Sequence, residues 1–334
     1  PKQFDLLYTR NLGMLTACVH RGIPSAYEHF RPWPDQFPPM QPWLRHVFGH
    51  RHCVGALFHS DYARRSYVRL GVPEAKLGVV HNGYEPKRME PRLSKADARA
   101  LLDLPAEPAK LVVYTGRMNE RKGLDVAIAM ARAARHRPDV HFVLVGSKGD
   151  GPIEALAAPE PNVHVRPWQT FAGAIQYLYA ADVLLVPPSL APLLEHGNTV
   201  LPIKLFIYLA AARAIFAPSS PDSAELLKHD LNACLVPPTT ADAAEDAAAA
   251  LLSLLDDPAR CTRLAAGAAK RAESLTWDAR AVELEQFLTE RMNDAGPHRR
   301  GPWSVGTWAA DSARWLGRGL LKNDWVAKPK QGLS

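Results

Sequence analysis

The stretch KLVVYTGRMNERKGLDVAIAMARAARH, residues 110–136, decides the fold. Its opening, KLVVYT, is a continuous apolar run of strand length, and its close, GLDVAIAMARAARH, repeats aliphatic residues at helical spacing. A strand that is apolar on both faces and turns directly into a helix is the unit of a parallel sheet covered on both sides. Gly116 frees the backbone where the strand ends, and Arg117 and Lys122 flank the loop before the helix. In open α/β sheets, ligands bind at the carboxyl ends of the strands, where helix N-termini direct their amides outward. Two cations at such a junction suit a diphosphate. They equally suit a solvated loop, and this stretch alone leaves both readings open.

Working outward, the pattern repeats. VHFVLVG (140–146), NVHVRPW (162–168), DVLLVPP (182–188), AIFAP (214–218) and NACLVPP (232–238) read as strands. FAGAIQYLYAA (171–181), the segment around LPIKLFIYLAA (201–211) and DSAELLKH (222–229) read as helices, giving a doubly wound α/β domain. Upstream, FDLLYT, PSAYE, VGALFHS and LGVVHNG predict strands, with helices near 12–21, 39–50 and 60–70. That is a thin sheet for a Rossmann-like domain, which usually has about six strands. Downstream, alanine-rich helices are expected over 241–256 and 257–274, then LTWDARAVELEQFLTERM and a Gly/Pro linker. The boundaries expected are 1–90, 91–295 and 296–334.

Composition is globular, with 47% hydrophobic and 22% charged residues in 334, enough for two domains. No apolar run approaches the roughly 18 residues of a membrane span, so a soluble, cytoplasmic protein is expected, with no nucleic acid among its partners. Cys18, Cys53, Cys234 and Cys261 are far apart, without a C-x-x-C pair, and read as free core thiols. His46, His50, His52 and Cys53 share the segment RHVFGHRHC, where i and i+4 residues lie on one helix face. The metalloprotease glutamate is absent, and no metal is expected. No G-x-G-x-x-G follows a strand, and VGSKGDG lacks the lysine and hydroxyl pair of a P-loop, which argues against dinucleotide and Walker-type sites.

The formal charge of +6 is uneven. Residues 296–334 hold seven Lys or Arg against two Asp, and four of the eight tryptophans. As a helix, WSVGTWAADSARWLGRGLL (303–321) would place Val305, Trp308, Trp315, Leu316 and Leu320 on one face with Arg314 and Arg318 at its flank. That pattern fits an anionic membrane surface, the chain then being peripheral at the inner face. A helix packing back on the N-terminal domain is the other reading.

Several strings, in order, resemble one family: SDYARRSYVRLGVPEAKLGVVHNGYEP, YTGRMNERKGLDVAIAMA, AADVLLVPPS, LPIKLFIYLAAARAIFAP, LNACLVPP and LTWDARA. Over roughly residues 4–292 they look like the family 4 retaining glycosyltransferases of GT-B fold. The resemblance implies two Rossmann-like domains facing a cleft, a nucleotide-sugar donor, a glycan or lipid-linked acceptor, and no metal or other cofactor. It puts Gly116, Arg117 and Lys122 on the donor diphosphate. His29 resembles a histidine near the donor sugar, Glu28 stands beside it for sugar hydroxyls, and Asn82 and Gly83 fall at an interdomain hinge. Asn198, Thr199, Lys204 and position 207 fall on the donor ribose and sugar. Two departures stand out. Position 207, a ribose-binding glutamate in the family, is Ile207, with Thr199 eight residues earlier instead of an acid. The segment matching the family's beginning is also short, so the N-terminal domain is expected to be truncated. Three readings follow: a glycosyltransferase, a non-catalytic glycosyltransferase-like binding subunit, and, with less support from the motif order, a nucleotide-sugar epimerase.

Overall fold

A computed structural model describes residues 5–191, 201–221 and 223–295. The tail helix expected over 303–321 lies outside the described residues, as do Asn198 and Thr199. The chain divides into two compact units, the first built from residues up to Val80 and again from Val282, the second from His81–Ala281.

In the first unit, strands β1 (Leu7–Thr9), β2 (Ser25–His29), β3 (Cys53–Phe58) and β4 (Leu77–Val79) pair in sequence order, all parallel. Helices α1 (Leu12–His20), α2 (Trp33–Gln36), α3 (Gln41–Gly49) and α4 (Asp61–Arg69) connect them. Asn11 and Ser60 start α1 and α4 by accepting the Met14 and Ala63 amides on their side chains. The core joins Leu15, Val19, Tyr27, Leu44, Phe48, Phe58 and Tyr67.

The second unit opens with α5 (Lys95–Leu101), followed by β5 (Lys110–Thr115), α6 (Leu124–Ala133), β6 (Val140–Ser147), α7 (Pro152–Ala157), β7 (Val163–Pro167), α8 (Phe171–Ala180) and β8 (Val183–Leu185). It continues with α9 (Lys204–Ala210), β9 (Ala214–Pro218), β10 (Cys234–Val236), α10 (Glu245–Leu255) and α11 (Pro258–Ala272). Its six parallel strands run β10-β9-β8-β5-β6-β7. Read from β7, this is the Rossmann order 3-2-1-4-5-6, and the direction of winding reverses between β5 and β8. The crevice such a reversal leaves lies at the carboxyl end of β5, where Gly116, Arg117 and Lys122 follow the strand.

Two expectations are corrected. DSAELLKH forms only a 3-10 turn at Ser223–Glu225. The boundary falls at Val80/His81, not at residue 90, because residues just past it are tied into the second unit. Tyr84 donates to the Leu275 carbonyl and accepts from the Trp277 amide, and Tyr179 donates to the Met89 carbonyl. Gly83 does not hold a positive φ; a Cβ there would stand 2.7 Å from the Thr276 carbonyl carbon, so close packing requires the glycine. The last described helix, α12 (Trp277–Ala295), starts in the second unit and runs into the first.

Candidate functional site

At the end of β5 the backbone is shaped by glycines. Gly116 has φ +142°, and Gly146 at the end of β6 has φ +130°. A Cβ on Gly146 would stand 2.0 Å from the Gly116 carbonyl oxygen, so the two strand ends touch backbone to backbone. Gly123 takes the left-handed conformation, φ +67°, and starts α6 with its face against Ser189. The loop between Gly116 and Gly123 is therefore held at both ends.

Helix α9 is bound to the same strand end. The Thr115 amide donates to the hydroxyl of the fully buried Tyr208 at 2.9 Å, and burial pushes that phenol up to about 12. One turn earlier, the Lys204 ammonium lies 3.6 Å above the centre of the Tyr114 ring and against Gly116. Tyr114 is itself fixed, its hydroxyl donating to the Arg117 carbonyl at 3.0 Å. Among the described residues, no carboxylate or carbonyl lies within hydrogen-bond reach of Lys204. Burial, with the charge of Lys122 adding to it, holds its pKa well below the usual lysine range. Arg117 and Lys122 are exposed beside it. Asn119, in the same loop, buries its Oδ1 without a partner. The result is three cations around a glycine turn at the carboxyl end of a central strand.

Ile207 is half-buried and packs on the core of the second unit. Of the other residues expected at the ribose and sugar, Lys204 is the one the described structure brings to the strand end.

The first unit has its own polar group at its strand ends. Glu28 and His59, 5% and 4% exposed, are joined by a 2.6 Å contact between Oε1 and Nε2, with Arg10 Nε 3.7 Å from the same carboxylate oxygen. Sequence reasoning missed His59, whose link to Glu28 depends on β2 and β3 being neighbours. His29 stacks among Tyr27, Phe30 and Trp33, and its Nδ1 accepts the Arg31 amide. Burial first, then Arg10, His59 and Arg31, lower its pKa to about 4. It is a neutral imidazole that keeps an N–H on Nε2.

Residues 109–257 match the family described as Glycosyl transferases group 1. The D-inositol 3-phosphate glycosyltransferases of Thermobispora bispora and Kineococcus radiotolerans are each 28% identical over 72% of this chain. The chain spans only 56% and 58% of their lengths. Anabaena HepE in complex with UDP superposes with a TM-score of 0.70 at 16% identity, covering 86% of this chain and 79% of that one. Sucrose-phosphate synthase from Thermosynechococcus elongatus gives 0.63 at 21%, covering 81% and 69%. Over residues 109–257 the chain is thus similar to the glycosyl transferases group 1 family, and each of its two parallel-sheet units has the Rossmann-like fold of the GT-B structures.

Proposed function

We propose that this chain transfers a sugar from a nucleotide-diphosphate donor to a hydroxyl of a glycan or lipid-linked acceptor, with retention of configuration. One observation carries the reading: the half-buried Lys204, its ammonium without a counter-ion among the described residues, at the glycine turn that Arg117 and Lys122 flank. A diphosphate supplies the missing charge. As the bond from sugar to phosphate breaks, negative charge grows on the leaving nucleotide, and preorganised cations stabilise it. Such a site does this without a metal, and EDTA is expected to leave activity unchanged. The neutral His29 offers an N–H donor and Glu28 an acceptor for sugar hydroxyls. The names of the relatives make a phosphorylated polyol the first acceptor to try, and the HepE complex makes UDP the first nucleotide.

Calorimetric titration with UDP, GDP and ADP tests the donor half. Binding of one of them, weakened by about 1.5–3 kcal/mol in Lys122→Ala or Arg117→Ala, supports it. Unchanged affinity in both variants moves the site elsewhere. The non-catalytic reading is favoured by Ile207, an alkyl group at the ribose position. Nucleotide binding without turnover of any bound nucleotide sugar would select it.

A further inference from the structure

Two helices of the first unit bring together histidines that lie far apart in the chain. His20 ends α1 and His46 lies near the end of α3, with their Nε2 atoms 3.2 Å apart and their ring centres 5.3 Å apart. The pair that the sequence suggests, His46 and His50, is less close, with ring centres 6.1 Å apart. His20 is also oriented. Its Nδ1 lies 2.7 Å from the Thr16 carbonyl, and because a carbonyl only accepts, Nδ1 carries the proton and Nε2 keeps its lone pair. One ring nitrogen held on a carbonyl with the other left as donor atom is how metal-binding imidazoles are set.

We propose that His20 and His46 form a two-histidine site for a late divalent transition ion, zinc, nickel or copper, that ties the end of α1 to α3. Two nitrogens about 2.0–2.1 Å from one tetrahedral ion lie about 3.3–3.4 Å from each other. The observed 3.2 Å is close to that bite, so the ion enters with little movement of either ring. In the ion-free pair one proton is shared: His20 Nε2 accepts, and the Nε2–H of His46 donates. The ion takes the place of this proton, which passes to the other nitrogen of the His46 ring. Both imidazoles then bind as neutral ligands.

His50 borders the site without joining it. Its ring centre is 5.8 Å from that of His20, but its Nδ1 accepts the His52 amide, leaving the proton on Nε2. Among the described residues, no three donors surround one point, so water completes the coordination. An imidazole-only donor set favours zinc, copper and nickel over magnesium or calcium. The second unit supplies a built-in comparison. His141 and His164 also touch, Nδ1 to Nε2 at 3.1 Å, but there one of the touching atoms is itself an Nδ1 and, among the described residues, no carbonyl orients the ring.

The test titrates zinc and nickel separately into the full, untagged chain, following heat and melting temperature, for wild type, His20→Gln, His46→Gln and His164→Gln. The expected result is an ion site that the first two substitutions each weaken at least about tenfold and the third leaves intact. The wild-type melting temperature should rise with the ion, and this rise should vanish in His20→Gln and His46→Gln. Absence of binding to wild type, wild-type affinity retained in His20→Gln and His46→Gln, or loss confined to His164→Gln overturns the proposal, and the 3.2 Å contact is then an ordinary N–H···N hydrogen bond. If His20→Gln fails to fold, His46→Gln, on an exposed ring, carries the comparison alone.

Discussion

Lys204 and Ile207 lie three residues apart on α9, close to one face of the helix, and together define what this site has in place of an acid. On the proposed reading, replacing Ile207 by glutamate would supply an acceptor for ribose hydroxyls, worth up to about tenfold in nucleotide affinity per 1.4 kcal/mol. It also removes an alkyl group from the core edge, so titration calorimetry should show tighter nucleotide binding and melting should show a lower temperature. Lower stability without tighter binding would make position 207 a packing residue only. Lys204 leads to a second expectation. Its pKa is depressed in the free protein, and a diphosphate favours the ammonium, so the bound pKa lies above the free one. Between the two values binding takes up a proton, and affinity falls as pH rises through that window. Calorimetry in two buffers of different ionisation enthalpy should detect the uptake in wild type and none in Lys204→Met. Equal uptake in both would assign it to another group. The position of Arg117 and Lys122 at a strand end was legible because both stand beside it in the sequence itself. The setting of Lys204 was not, because the ring beneath it belongs to Tyr114 on a strand far back in the chain.

The strands of the second unit were readable because they are continuous apolar runs, and their order follows from the short crossovers between them. Helix α5 was not, because its buried face is carried by a charge. Arg99, 1% exposed, donates to the carbonyls of Ala180 and Ala109 and to Asp182 at 2.6 Å. Asp182 also accepts the Leu111 amide and Lys95, so one carboxylate just before β8 joins α5, β5 and α8. A pattern reading takes such residues for surface charges. Asp182→Ala leaves a buried guanidinium uncompensated and is expected to cost about 3–5 kcal/mol in urea unfolding. A loss below about 1 kcal/mol would mean that water replaces the carboxylate. The end of α9 offers the opposite sign. Ala212, just past the helix, has φ +54°, a conformation glycine adopts without strain. Ala212→Gly should stabilise by about 0.5–1 kcal/mol, less whatever the freer unfolded chain takes back. The missing helix at DSAELLKH has a similar lesson: its apolar pair Leu226 and Leu227 is buried, but by a turn, which a helical pattern of that length does not distinguish.

Two sheets joined by two crossings of the chain make the ends of the sequence interdependent. The first unit takes its last helical stretch from beyond Val282, and that stretch meets its sheet at two glycines. A Cβ on Gly78 of β4 would stand 2.6 Å from the Phe287 ring, and one on Gly55 of β3 2.9 Å from it. The Arg291 guanidinium donates to the Ala75 carbonyl alongside. Glycine in a strand interior is otherwise weakening, so these positions are explained by the close approach of a ring. Phe287→Ala empties that space and should cost about 1.5–3 kcal/mol, below the figure for a fully buried ring because Phe287 is only partly buried. Hydrogen exchange read by mass spectrometry should lose protection in peptides covering residues 53–58 and 77–79, while β5 to β10 stay as in wild type. Gly78→Ala should produce the same local loss, since its methyl meets the ring. The double variant separates the contact from general damage. With the ring gone, the methyl of the alanine meets only the end of the Leu57 side chain, 2.9 Å away and able to shift, so Gly78→Ala should cost less in the Phe287→Ala background than alone. Equal cost in both backgrounds, or lost protection spread across both units, would show that Phe287 does not hold the end of the chain to the first sheet.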